Sequence, residues 1–252
     1  MASVSARHGS ARALAIRYSH SAFAALLLVF MFIGFRHFYL AGNSAITGGP
    51  IESGLAIYAV PHGISNTAWM LVLLLQPLLI ANRQQKLHKT LAWWLLGIAV
   101  LVPITGALVA INGPRITPNG PLVHGITYRD FVLVMLSEMA VFAVLVATAV
   151  LNRKRPHVHR SLMMLSGLAI LSAATDRTDS IMALTGGLGW WGMFGPELTL
   201  GLAFFAVRWV LTGKPDRWFA GGLAVMMAIY FVAFQLSTSA AWNSALASVF
   251  GL

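Results

Sequence analysis

The chain has 252 residues, of which 58% are hydrophobic and 10% charged, with 17 Lys and Arg against 7 Asp and Glu. Soluble domains carry roughly 25% charged residues, and a water-soluble fold of this composition would expose large apolar patches; one membrane domain over residues 1–252 is expected instead. The absence of cysteine excludes disulfides, thiolate zinc sites, iron–sulfur clusters and cysteine nucleophiles, and no basic stretch is long enough for a nucleic-acid footprint despite the formal charge of +10.

A helix needs about 20 apolar residues to cross a bilayer core. Runs of this kind fall at 20–40, 57–81, 91–112, 130–151, 160–180, 189–211 and 217–236. The fifth carries Asp176, Arg177 and Asp179 at its end. Arg7, Arg12 and Arg17 precede the first run, as in a secretory signal. No small-residue cleavage site follows, and the run continues into Arg36-His37-Phe38-Tyr39, so an uncleaved helix is expected. His8 and His157 read as solvated residues, and Ser237–Leu252 as an interfacial tail.

Lys and Arg collect before helix one (Arg7, Arg12, Arg17), after helix two (Arg83, Lys86, Lys89), after helix four (Arg153, Lys154, Arg155, Arg160) and around the turn after helix six (Arg208, Lys214, Arg217). The alternate loops carry only Arg36, Arg115, Arg129 and Arg177. The positive-inside rule then places the N-terminus inside and the C-terminus outside. The fold class expected is all-α: a polytopic, multi-pass transmembrane helix bundle of about seven spans in a bacterial inner membrane, with the lipid bilayer and other membrane-protein subunits as its partners. The Pro- and Gly-rich stretches Ala41–Leu55 and Asn112–Arg129, the latter with Pro114, Pro118 and Pro121, read as outer connectors or short lids.

Two inner hairpins repeat an element. Asn82-Arg-Gln-Gln-Lys-Leu-His88-Lys-Thr-Leu91 aligns with Asn152-Arg-Lys-Arg-Pro-His-Val-His159-Arg-Ser-Leu162 after one inserted residue. This pattern predicts that helices two–three and four–five form a duplicated core. The segment His62-Gly-Ile-Ser-Asn-Thr-Ala-Trp69, with Gln76, Arg83, Leu87-His88-Lys89, Val158-His-Arg-Ser-Leu-Met-Met164 and Arg177, resembles a large group of uncharacterised bacterial multi-span membrane proteins over roughly residues 30–180. The paired His-basic elements are similar to those of domain-of-unknown-function families related to the YozB-type proteins, some associated with cytochrome oxidase assembly. That resemblance implies a fold and a membrane location but no activity. A Gly commonly follows the first His-basic-x-Leu element in the group, and Ala92 stands there in this chain.

Paired histidines such as His88 and His159 hold haem iron in b-type cytochromes, so haem b or a metal ion is the cofactor to expect if they face each other; the alternative is that each caps a helix start or meets lipid headgroups. His20 is placed to join them. On the outer side, His62 begins helix two, with Asn66 and Trp69 on the same face; His37 and His124 read as interfacial anchors. Glu138 and Glu197 fall about eight residues inside their spans, roughly 12 Å deep, where an isolated charge costs about 2.5–3.5 kcal/mol on the insertion scale. Arg177 is the expected partner, with Asp176 and Asp179 competing for it. His62, Asn66, Glu138, Arg177 and Glu197 would then line an outer polar pocket, or else form a structural ion-pair network.

No P-loop, Rossmann glycine fingerprint, HExxH or di-iron histidine box is present. No catalytic residue is assigned; without cysteine, any metal or haem must rely on His, Met, carboxylate or Tyr, and Met163 and Met164 are expected to pack rather than bind copper. Three functions fit: a redox or metal-linked membrane protein, a transporter or carrier using the outer pocket, and a non-catalytic subunit or assembly factor of a membrane complex.

Overall fold

The computed structural model describes residues 2–44, 48–118, 120, 124–185 and 187–251, with side chains from Ser10 onward. Pro121 and the side chains of Arg7 and His8 lie outside this set. The described chain is mainly helical, with an isolated β-bridge between Asn43 and Pro50. The long helices are α1 (Ala2–Gly34), α3 (Ser53–Ala81), α4 (Gln85–Ile116), α5 (Val132–Leu151), α9 (Trp190–Thr212) and α10 (Arg217–Ser237). Shorter ones are α2 (Arg36–Ala41), α6 (Pro156–Leu168), α7 (Ser172–Thr175), α8 (Asp179–Thr185) and α11 (Ala240–Ala245). Seven helical segments are long and apolar enough to cross a membrane, the fifth being the pair α6–α7. The chain is a multi-pass membrane protein by this measure. The helix α4 runs through Pro114 to Ile116, so the connector expected from Asn112 begins at Thr117 instead.

The bundle has two unlike ends. Short turns at 82–84, 152–155 and 213–216 form a basic face, and the longer segments 35–52, 117–131 and 176–189 form a loop face. On the basic face Arg17 donates to the Ala81 carbonyl, and Arg12 Nε donates to the Leu211 carbonyl at 2.9 Å. These arginines of α1 thus satisfy carbonyls near the C-terminal ends of α3 and α9, where the helix dipole favours a cation. Asp216 caps α10 through Phe219 N (3.1 Å) and accepts from Ser161 Oγ of α6 (2.7 Å). At the turns after α3 and α5, Asn82 and Asn152 each donate their side-chain amide to the carbonyl four residues back at 2.9 Å, although the first turn passes through a positive φ at Arg83 and the second does not.

The fifth span is the axis of the bundle. It is 78% buried inside the protein, against no more than 50% for any other span. The segment α6 packs on α1, α3, α5, α9 and α10. Yet its α-helical hydrogen bonding is interrupted at Ala169–Leu171, where the chain tightens through a bond from Leu171 N to the Leu168 carbonyl with Ala169 and Leu171 still right-handed, and resumes in the single turn α7. No proline or glycine stands in those three residues. The cause is tertiary. The hydroxyl of Tyr230 on α10 donates to the Ala169 carbonyl at 3.0 Å, satisfying a group the interruption releases. On the other side Gly34, the last residue of α1, lies so close to the Ala174 backbone that a Cβ would overlap it.

Candidate functional site

The interruption of the fifth span is where the acidic residues converge. Glu138 lies six residues into α5 and Glu197 seven into α9, roughly 9–10 Å from the loop-face ends of those helices at 1.5 Å per residue. Both are buried, at 5% and 1% exposure. Ser172 Oγ, at the first residue of α7, donates to Glu138 Oε1. One turn on, Thr175 Oγ1 lies 2.8 Å from Glu197 Oε1 and 2.9 Å from the Ser172 carbonyl oxygen. Glu197 Oε2 is buried without a hydrogen-bond partner. Each carboxyl is within electrostatic reach of Asp176, Glu197 also feels Glu138, and Tyr230 feels both. A single turn of chain thus presents a hydroxyl to each of two acids that approach it from different helices.

Toward the loop face the cluster continues. His124, buried and held at a positive φ of 48°, brings Nε2 within 2.9 Å of Asp176 Oδ1. Its Nδ1 has no partner and abuts Gly192 of α9. Burial raises the Asp176 carboxyl above its ordinary value, and the bond from His124 opposes that rise.

Arg177 does not pair with either glutamate. Its guanidinium donates to the Ala173 carbonyl and stacks over Phe35, 5.2 Å from the ring centroid. Burial pulls it below its ordinary value, with Asp176, Tyr128 and Glu138 opposing. Asp179 is engaged elsewhere, in an ion pair with Arg36 at 2.7 Å. No described Lys or Arg makes an ion pair with Glu138 or Glu197.

His62 and Asn66 form a neighbouring polar group between α3 and α4. Asn66 Nδ2 donates to His62 Nε2 at 2.9 Å, and His62 Nδ1 bonds Thr105 Oγ1 at 3.2 Å. His62 of α3 and Met139 of α5 both close on Gly106 of α4, and no hydrogen bond joins this group to Glu138 or Glu197 among the described residues.

His88 and His159 sit together on the basic face, far from the acids along the helices. They are within electrostatic reach of each other. His159 Nδ1 donates to the Ala149 carbonyl at 2.9 Å, and His88 Nδ1 is buried without a partner. His20 does not join them: it lies edge-on to Phe204, beside Arg208. A groove on this face is lined by Arg83–Leu87 and includes neither ring of the pair. Among the described residues no three His, Asp or Glu side chains are spaced to hold a metal ion.

No family model, curated protein or solved structure matches the chain. The site therefore rests on its own geometry. Ser172, Thr175, Tyr230 and His124 belong to it, and no sequence motif marks them. The available signal was position: Ser172, Thr175 and Asp176 stand in the one span whose end is crowded with charge, and hydroxyls there serve as donors to buried carboxyls.

Proposed function

We propose that the chain is a membrane carrier whose binding site for a proton or small monovalent cation is the carboxyl pair Glu138 and Glu197 at the interruption of the fifth span. One observation supports this most. Thr175 Oγ1 has a single proton but lies within bonding distance of both the Ser172 carbonyl oxygen and Glu197 Oε1. The hydroxyl can share its proton between the two acceptors or accept one from a protonated Glu197 carboxyl, and the unpartnered Oε2 leaves a position that a proton or a cation would satisfy. Interrupted spans whose freed backbone and side chains meet an ion are a recurrent solution in secondary transporters. Ionisable groups within membrane spans are costly to bury and mark ion pathways and proton relays. The orientation with the loop face outside, and residence in a bacterial inner membrane, belong to the same proposal and rest on the loop charges.

The haem or metal reading of His88 and His159 has less support. The two rings are within electrostatic reach of each other, but His159 Nδ1 is committed to the Ala149 carbonyl, and no third His, Asp or Glu among the described residues is spaced to complete a metal site with them. The test is flux. Purified protein in liposomes with a trapped pH-sensitive dye is expected to dissipate an imposed proton or Na⁺ gradient, and Glu138→Gln and Glu197→Gln are expected each to stop it. Equal flux in wild type and both variants would end the carrier reading. A Soret band in the purified wild-type protein would restore the redox reading.

A further inference from the structure

The residues His62, Asn66, Trp69, Leu73 and Gln76 stand at offsets of four, seven, eleven and fourteen on α3, which places them on one stripe about 21 Å long. Leu73 is its one apolar member. Asn66 Oδ1, Trp69 Nε1 and both side-chain polar atoms of Gln76 are buried and have no hydrogen-bond partner. Trp69 is 1% exposed and Gln76 8%. Beyond Gln76 the stripe meets α4, where the His88 ring lies beside the Gln76 carbonyl. Midway along it, Trp69 packs edge-on against Phe142 of α5, one helical turn from Glu138, with ring centroids 5.2 Å apart.

Buried amides and indoles left without partners are rare in folded proteins, and a line of them satisfied by nothing in the chain is the mark of ordered water. We propose that a file of water runs along this face of α3, from the carboxyl pair to the His88–His159 end of the bundle, and gives the basic face its access to the ion site. The proposal rests on the carrier reading for its purpose. It does not rest on that reading for its physical content, because hydration of the stripe is measurable without any flux. Gln76 offers donor and acceptor midway between Glu138 and the basic face, and the histidine pair stands at the mouth.

The chain has no native cysteine, so single-cysteine variants report on one position each. In membranes treated with a small, charged methanethiosulfonate, Asn66→Cys and Gln76→Cys are expected to react at least about tenfold faster than Leu71→Cys and Leu75→Cys, since thiol reactivity requires water access. Leu71 and Leu75 are the controls because they lie on the exposed, lipid-facing side of the same helix. A rate at position 76 no greater than at position 75 would overturn the file. Should Gln76→Cys fail to insert, an experimental density map of the wild-type protein decides: peaks within hydrogen-bonding distance of the Gln76 amide and Trp69 Nε1 support the file, and dry packing at both overturns it. Reactive cysteines without flux would leave the file standing and remove the carrier. Flux abolished by Glu138→Gln with an unreactive stripe would do the reverse.

Discussion

Replacing Thr175 by valine keeps the shape of the side chain and removes its hydroxyl. Thr175 is the one side chain among the described residues that hydrogen-bonds Glu197, at 2.8 Å, and Glu197 Oε2 already lacks a partner. The variant therefore leaves a carboxyl at 1% exposure with neither oxygen bonded to a side chain. Stranding a buried polar group costs about 1–3 kcal/mol, more for a charged one. For a chain of this size each kcal/mol shifts Tm by about 2–4 °C, so a fall of several degrees is expected in detergent melts followed by tryptophan fluorescence. The double variant Thr175→Val with Glu197→Met replaces both partners by apolar groups and should recover most of that loss, because removing a pair costs less than breaking it. A coupling of about 0.5–3 kcal/mol in the resulting cycle is the expectation for residues in contact. Additive effects of the two substitutions would refute the assignment of Thr175 as the donor to Glu197.

Gly34→Ala drives a Cβ into the Ala174 backbone, and because backbone cannot rotate aside the cost should reach or exceed the usual 1–3 kcal/mol of overpacking; lowered Tm and lost flux together are expected, and unchanged melting would contradict the close approach of α1 to α7. Asp176→Asn keeps an acceptor for His124 and removes a buried charge. Because burial raises the folded-state value of this carboxyl above 3.8, its contribution to stability is full at low pH and lost as pH rises through the raised value; the variant should lose that dependence in melts across the acid range, and an identical pH profile would refute it. Reporter fusions after Gln85 and Lys154 should read as cytoplasmic and fusions at Gly120 and the C-terminus as external, and a cytoplasmic C-terminus would reverse the orientation inferred from the loop charges.

Much of the architecture was legible because the bilayer imposes a simple length rule. All seven expected runs overlap observed spans, and Glu138 and Glu197 lie close to the depth that counting gave. The interruption at Ala169–Leu171 was not legible. Helices usually break at proline or glycine, and this stretch holds neither; it is shaped by Tyr230 and Gly34, which are distant in sequence. The pairing of charges was misjudged for a related reason. Proximity in sequence suggested Arg177 for the glutamates, but the change of backbone direction after α7 turns its side chain back to Ala173 and Phe35. The acids are instead satisfied by hydroxyls, which composition does not flag. His124 read as an interfacial anchor, yet its positive φ turns it inward onto Asp176. His88 and His159 each stand at the fourth residue of the helix that follows a short turn, within electrostatic reach of each other.

The most direct measurement is chemical labelling of the two acids in the wild-type protein. The hydrophobic reagent dicyclohexylcarbodiimide enters the bilayer and modifies carboxyl groups, and peptide mass spectrometry locates the adduct. The account predicts modification at Glu197 or Glu138, suppressed as the concentration of the carried cation rises or as protons are withdrawn, with Asp130 and Asp179 giving no such protected signal. Labelling of neither glutamate under any condition, or labelling that no ion protects, would contradict the claim that this carboxyl pair is an ion site.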